Sequence, residues 1–242
     1  LGIQKAIFAH GIGRHIIDAD PALQLRSNSV IGPRPVARTR VMLSEAELKI
    51  ILPLLPKMGI QNALMAKILL CTAVRIGELV GARWENVDLE QRIWFIPPTD
   101  IKGKKSRARN GEDVRGFYVP LSEPVVSWFQ DLKDLAFESA YVLPIRSRKK
   151  AIGDAHMEPV TLNAAFSKFW KTYLAEKCQR FTPHDLRSTA RSHLGRLGVD
   201  LLVAERCLNH SLGGLMDIYD QHDYLEERRA ALASLADFVV NC

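Results

Sequence analysis

The sequence has only four cysteines, Cys71, Cys178, Cys207 and Cys242, and no two form a CxxC pair or a zinc-binding spacing. A disulfide framework is therefore not expected, and the four read as reduced thiols of a cytosolic protein. No apolar run approaches the ~20 residues of a membrane span, and the N-terminus lacks a signal-peptide pattern. The chain holds no P-loop, no strong Mg²⁺-binding cluster and no internal repeat, so neither a nucleotide nor a metal cofactor is expected. It opens on Leu1 rather than Met, which leads us to expect a piece of a longer protein.

What is present is an ordinary core-forming composition. The 242 residues are 47% hydrophobic and 25% charged, enough for one good-sized domain or one domain plus a fragment of another. The formal charge of +6 favours a polyanionic partner without naming one. Scattered apolar residues from Ile3 to Ala22 predict a helix ending at Asp20-Pro21. The following stretch, Arg26 to Arg40, carries Pro33, Pro35 and several arginines with little periodicity, which is linker chemistry. We thus expect residues 1–30 to be the remnant of a separate domain, 31–42 a linker, and 43–242 the main domain.

Within that main domain, Ser44 and Glu47 predict a capping box, with Leu48, Ile51, Leu52 and Leu55 following at helical spacing. Asn62 to Thr72 and Ile76 to Trp84 predict two more helices. Ile93 to Ile96 and Phe117 to Leu121 read as strands around a long basic insert, and Tyr141 to Leu143 as a third. Ser122, Thr161 and Thr182 each sit where an N-cap belongs, with Pro124 and Pro183 in the first turn. The expected class is α+β, mostly helical, with a small three-stranded antiparallel sheet.

Three features carry chemistry. In Thr182-Pro183-His184-Asp185-Leu186-Arg187, capping places His184 in the first helical turn, and Arg187 three residues on shares its face. A guanidinium that binds phosphate beside an imidazole that moves protons suits phosphoryl transfer. Arg75 lies between an apolar helix and an amphipathic one, where an unpaired guanidinium is costly. It needs either an anion or an internal partner, for which Glu78 is placed. His210 in Leu208-Asn209-His210 ends a helix before a glycine-containing turn.

In this order the segments TAVRIGELVGARWENVDL, HDLR, LNH and MDIYDQHDYLEERRAAL resemble the tyrosine recombinases, and most of all the prophage and genomic-island integrases. The resemblance runs from about Leu43 to the C-terminus, and the piece before residue 30 resembles the last helix of that family's core-binding domain. It implies the family's catalytic-domain fold. It also implies site-specific recombination, the integration or excision of a mobile element through a 3′-phosphotyrosine intermediate. By the same resemblance Arg75 and Arg187 are the clamp arginines, His184 the proton-handling residue and His210 a later donor to the phosphate. Lys102, on the insert between the first strands, matches the lysine acid, with Lys104 and Lys105 close by. Tyr219, nine residues after His210, matches the nucleophile, whereas Tyr224 opens the final helix and is better explained by packing.

Arg34, Arg38, Arg40, Lys104, Lys105, Arg107 and Arg109 are the candidate DNA contacts, and Arg146, Arg148, Lys149 and Lys150 form a third basic cluster. The implied partner is double-stranded DNA, bound by a homotetramer, with the isolated fragment a monomer and no membrane involved. The implied location is the bacterial cytoplasm, at the nucleoid. Two other readings stay open on the residues: a type IB topoisomerase, which uses an equivalent residue set, and a DNA-binding module without catalysis. An RNA-binding scaffold has only the charge behind it.

Overall fold

The computed structural model describes residues 2–26, 29, 32–33, 39–101, 114–145, 153–210 and 222–242. They fall into two units, Leu1–Thr39 and Arg40–Cys242. In the first, helix α1 spans Gly2–Gly13 and stops well short of the expected Ala22. His15 takes a left-handed conformation, φ 55°. The His15 and Ile16 N–H groups then close back onto the Ile12 and Gly11 carbonyls, both at 2.9 Å, which is a Schellman stop. No residue of α1 is buried, and Ile3 and Ile7 are exposed.

The second unit begins with the capping box read from the sequence. The Glu47 carboxylate accepts the Ser44 N–H at 2.8 Å and starts α2, Glu45–Ile51. A 3₁₀ segment, Leu52–Met58, carries the chain to α3, Ile60–Thr72. Helix α3 is buried on nearly every face, as expected of an apolar helix with no polar stripe, and it packs against four later helices. The next helix, α4, covers only Ile76–Val80 because Gly81 ends it, and Trp84 falls in a separate 3₁₀ turn, Trp84–Asn86.

The sheet has three antiparallel strands in the order β1 (Val87–Asp88), β2 (Ile93–Ile96), β3 (Phe117–Pro120). Trp94 pairs with Val119 and Ile96 with Phe117, so these side chains share the inner face, and the Trp94 ring lies 5.8 Å from that of Phe129. The outer face stacks Phe95 on Tyr118 at 4.8 Å. Gly116 is required where the chain enters β3, since a Cβ there would meet the Phe95 ring at 2.3 Å. The third strand is Val87–Asp88 and not Tyr141–Leu143. Tyr141 forms a single bridge to Arg83, while Val142 and Leu143 are buried as irregular core. Their apolar side chains are satisfied by burial without a ladder.

Helices α5 (Glu123–Ala136), α6 (Pro159–Phe169), α7 (Pro183–Arg196), α8 (Leu201–Cys207) and α9 (Leu225–Val240) complete the body. Ser122 holds the cap position of α5, but its buried hydroxyl has no hydrogen-bond partner among the described residues. Thr161 is not a cap: Pro159 fixes the first turn of α6, so the cap position falls on Glu158. All four cysteines are free thiols, and burial pushes Cys207 up to about 12. Among the described residues no helix is long and apolar enough to cross a membrane.

The first turn of α9 is locked to the sheet by a fully buried arginine. Arg228 donates to the Tyr118 carbonyl at 2.6 Å, the Asp223 carbonyl at 2.9 Å and the Asp223 carboxylate at 2.7 Å, with its guanidinium over the Phe117 ring. Replacing it by Ala should cost roughly 2–4 kcal/mol, because a cavity opens and a buried carbonyl loses its donor. Urea unfolding would measure this, and a change below ~0.5 kcal/mol, the range of an ordinary surface substitution, would contradict the anchor.

Candidate active site

Helix α7 organises the site, and its start is fixed by Asp185. That carboxylate accepts the Thr182 N–H at 2.8 Å and the Thr182 hydroxyl at 2.7 Å, holding Pro183 in the first turn. It also accepts the Val41 N–H at 3.3 Å. Further along, Thr189 Oγ1 accepts the Leu43 N–H at 3.0 Å, and His193 Nε2 donates to the Leu43 carbonyl at 2.9 Å. The chain from Val41 to Leu43 is thereby pinned along α7. This brings Arg40 close enough for its charge to be felt at His184. His184, Arg187 and Arg191 follow at i, i+3 and i+7, one face of the helix.

Arg187 is 5% exposed and lies between the C-terminal ends of two helices. One terminal nitrogen donates to the carbonyl of Ala73, just past α3, and the other to the carbonyl of Leu208, just past α8. Both turns carry a left-handed non-glycine residue: Ala73 itself (φ 54°) and Asn209 (φ 49°). Such conformations cost of order 1 kcal/mol or more and persist where surrounding contacts over-determine them. Ala73 lies two residues before Arg75, and Leu208 two before His210. The guanidinium therefore ties together the two turns that present those side chains, using two of its five N–H donors.

Arg75 has the internal partner that its spacing allows. The Glu78 carboxylate accepts the Arg75 backbone N–H at 2.8 Å and its guanidinium at 2.9 Å, with the Glu78 side chain 3% exposed and that of Arg75 23%. The pairing takes up one terminal nitrogen of the guanidinium and fixes its direction. His210 is held in a comparable way. Its Nδ1 lies 2.6 Å from Glu205 Oε2, while Glu205 Oε1 accepts Arg191 Nε–H at 2.7 Å. Glu205 and Arg191 were not singled out from the sequence. An acid five residues before a histidine is too common a pattern to have marked them.

Positive charge accumulates here faster than it is neutralised. Burial, helped by the charge of Arg75, pushes the Arg187 guanidinium down to about 10, with Glu78 and Glu205 compensating in part. It remains protonated at neutral pH. Burial, with the charges of Arg40, Arg187 and Arg75, also holds His184 below its ordinary value, so the imidazole is neutral near pH 7. Burial would raise the Glu205 carboxyl, yet the hydrogen bonds from His210 and Arg191 outweigh it and keep it ionised. An anion received among these groups would relieve mutual repulsion of the guanidiniums.

The structure brings together Arg75, His184, Arg187 and His210 of the residues named from the sequence, with Arg40 beside them. Lys102 and Tyr219 lie outside the described residues, as do Arg34, Arg38, Lys104, Lys105, Arg107, Arg109 and the cluster from Arg146 to Lys150. Tyr224 is described: it opens α9 with φ 53°, packs on the core, and meets the His222 ring edge-on at 4.5 Å.

The same fold is found in solved structures of tyrosine recombinase catalytic domains. The Tn1549 transposon integrase in complex with circular intermediate DNA matches with a TM-score of 0.61 at 19% identity, over 93% of this chain and 74% of that one. A lambda integrase dimer bound to a COC′ core site matches at 0.58 and 16%, over 86% and 69%. Residues 42–226 match the phage integrase family, and the chain belongs to it. Among curated relatives, tyrosine recombinase XerA of Pyrococcus furiosus is 24% identical over 177 residues, and prophage integrase IntA of Escherichia coli K12 is 28% identical over 171. The alignments take in 73% and 70% of this chain but 56% and 37% of those relatives, so the chain spans about half their length or less.

Proposed function

We propose that the chain is the catalytic domain of a tyrosine site-specific recombinase that cuts and rejoins double-stranded DNA at the ends of a mobile element. Residues 43–242 form that domain, and residues 1–30, which include α1, are the remnant of a core-binding domain. Tyr219 Oη attacks the phosphorus, a 3′-phosphotyrosine bond forms, and the 5′ oxygen departs. Arg75 and Arg187 hold the non-bridging oxygens, each preorganised donor contributing roughly 10²–10³ in rate. His184, neutral near pH 7, accepts the tyrosine proton, and Lys102 donates one to the leaving oxygen. The ester keeps the bond energy for rejoining to a second strand, within a tetramer assembled on the DNA.

The observation that best supports this reading is the under-neutralised cluster of buried Arg187 with half-buried Arg75 and His184, with His210 on an adjoining turn. Its natural ligand is a phosphodiester. The test is incubation with a pool of nicked duplexes of randomised core sequence, followed by a denaturing gel. A protein–DNA band that survives denaturation, forms in chelator and enriches one sequence is expected. Failure to form any adduct, or relaxation of supercoils without sequence preference, would contradict site-specific recombination.

The assignment of Lys102 is tested through the leaving group. A bridging 5′-phosphorothiolate departs as a thiolate and needs little protonation. Lys102→Ala should therefore cleave the ordinary duplex slowly, by ~10²-fold or more, and the sulfur-bridged one nearly as fast as the parent. Selective rescue of Lys104→Ala or Lys105→Ala instead would move the acid to that residue.

A further inference from the structure

The recombinase reading assigns no role to Glu205 or Arg191, yet together they determine which face His210 presents. An ionised carboxylate can only accept, so the hydrogen in the 2.6 Å contact with Glu205 Oε2 sits on His210 Nδ1. The second oxygen is occupied by Arg191 Nε–H at 2.7 Å, from the helix that also carries Arg187. With both oxygens used, the carboxylate cannot rotate without losing a charge-assisted bond. The ring is half-exposed, and the backbone N–H of His210 donates to the Glu205 carbonyl at 3.2 Å, so main chain and side chain are fixed by the same residue.

We propose that Glu205 is the positioning residue for His210, with Arg191 as its brace, and that the pair leaves Nε2 as the atom presented to the scissile phosphate. This rests on the recombinase reading for the ligand, but the geometry does not depend on it. Arg187 and Arg191 lie one turn apart on α7. One helix face thus sets both the turn that carries His210, through the Leu208 carbonyl, and the rotation of its ring, through Glu205. An orienting acid behind a histidine fixes its tautomer, and losing such a partner behind a metal-bound histidine costs ~10–100-fold in activity, the scale taken for His210.

The test is a double-mutant cycle read by single-turnover adduct formation on the nicked duplex selected from the randomised pool. Glu205→Gln preserves size, but its amide oxygen is claimed by Arg191, so its NH₂ faces Nδ1 and the original bond is lost. Alone it should slow cleavage by ~10–100-fold. In a His210→Ala background it should have less than a ~2-fold effect, because it acts only through that ring. Equal slowing in both backgrounds would show a merely structural contribution and overturn the proposal, as would full activity of Glu205→Gln alone. Separately, ¹⁵N-resolved NMR of the DNA-free protein should show His210 Nδ1 protonated, and that signature should be lost in Glu205→Gln. Should the parent form no adduct, the recombinase reading fails, and the NMR result alone decides the positioning. An unprotonated Nδ1 in the parent at neutral pH would overturn it.

Discussion

Arg187→Lys is expected to reduce DNA cleavage by ~10²–10³-fold or more while leaving the protein folded. Two losses combine. A lysine ammonium is a point charge and cannot reproduce the planar fork that takes two phosphate oxygens. Nor can it span the carbonyls of Ala73 and Leu208, which Arg187 holds simultaneously from opposite ends of its guanidinium. The turns bearing Arg75 and His210 then lose their common tie, so the substitution disturbs three functional groups at once. Arg187→Ala goes further, leaving two carbonyls without their donor at about 1–3 kcal/mol each when buried. Its unfolding midpoint should fall clearly, and that of Arg187→Lys by about half as much, because an ammonium that reaches one of the two carbonyls leaves the other without its donor. Near-parental cleavage by the lysine variant would remove Arg187 from the clamp.

Arg75→Ala should lower cleavage by a similar factor, but its cost in stability has a different source. Removing the guanidinium leaves the almost fully buried Glu78 carboxylate with the backbone N–H of residue 75 as its hydrogen-bond donor among the described residues, and with only the neighbouring charge of Arg187 to offset its own. Breaking a fully buried pair costs ~3–5 kcal/mol. Partial exposure of Arg75 screens this one, so about 2–3 kcal/mol is expected. Adding Glu78→Gln removes the stranded charge, and the double variant should regain most of the stability while cleaving no better than Arg75→Ala. Recovery of cleavage would mean that Arg75 serves only to neutralise Glu78. Failure to recover stability would mean that the ion pair is not the origin of the loss.

The difference between what the sequence reveals and what it hides follows the range of the interactions. Capping boxes are local, so Ser44 with Glu47 and Thr182 with Asp185 could be read directly, and each is present. The spacing of Arg75 and Glu78 gave their pairing for the same reason. Local signals misled where a stronger local rule competed: Pro159 overrode Thr161 as the start of α6, and a left-handed His15 ended α1 early. Tyr141 to Leu143 has strand composition, but whether such a run joins a ladder depends on which edge is free, and Val87–Asp88 occupies that edge. The second layer of the site was hidden outright. Arg187 reaches carbonyls 114 and 21 residues away, and Glu205 meets Arg191 across 14. Backbone carbonyls have no sequence signature, and an Arg–Glu pair between helices looks like any surface charge until the helices are packed.

The most direct measurement of the central reading is identification of the residue that becomes joined to DNA. Adduct from the nicked duplex would be digested with nuclease and protease, and the nucleotide-bearing peptide located by mass spectrometry. A phosphodiester remnant on Tyr219 is expected, with no adduct in Tyr219→Phe and DNA affinity changed by less than ~2-fold, since only one hydroxyl is removed. A remnant on Tyr224 or any other residue, or an adduct persisting in Tyr219→Phe, would contradict the assignment of the nucleophile.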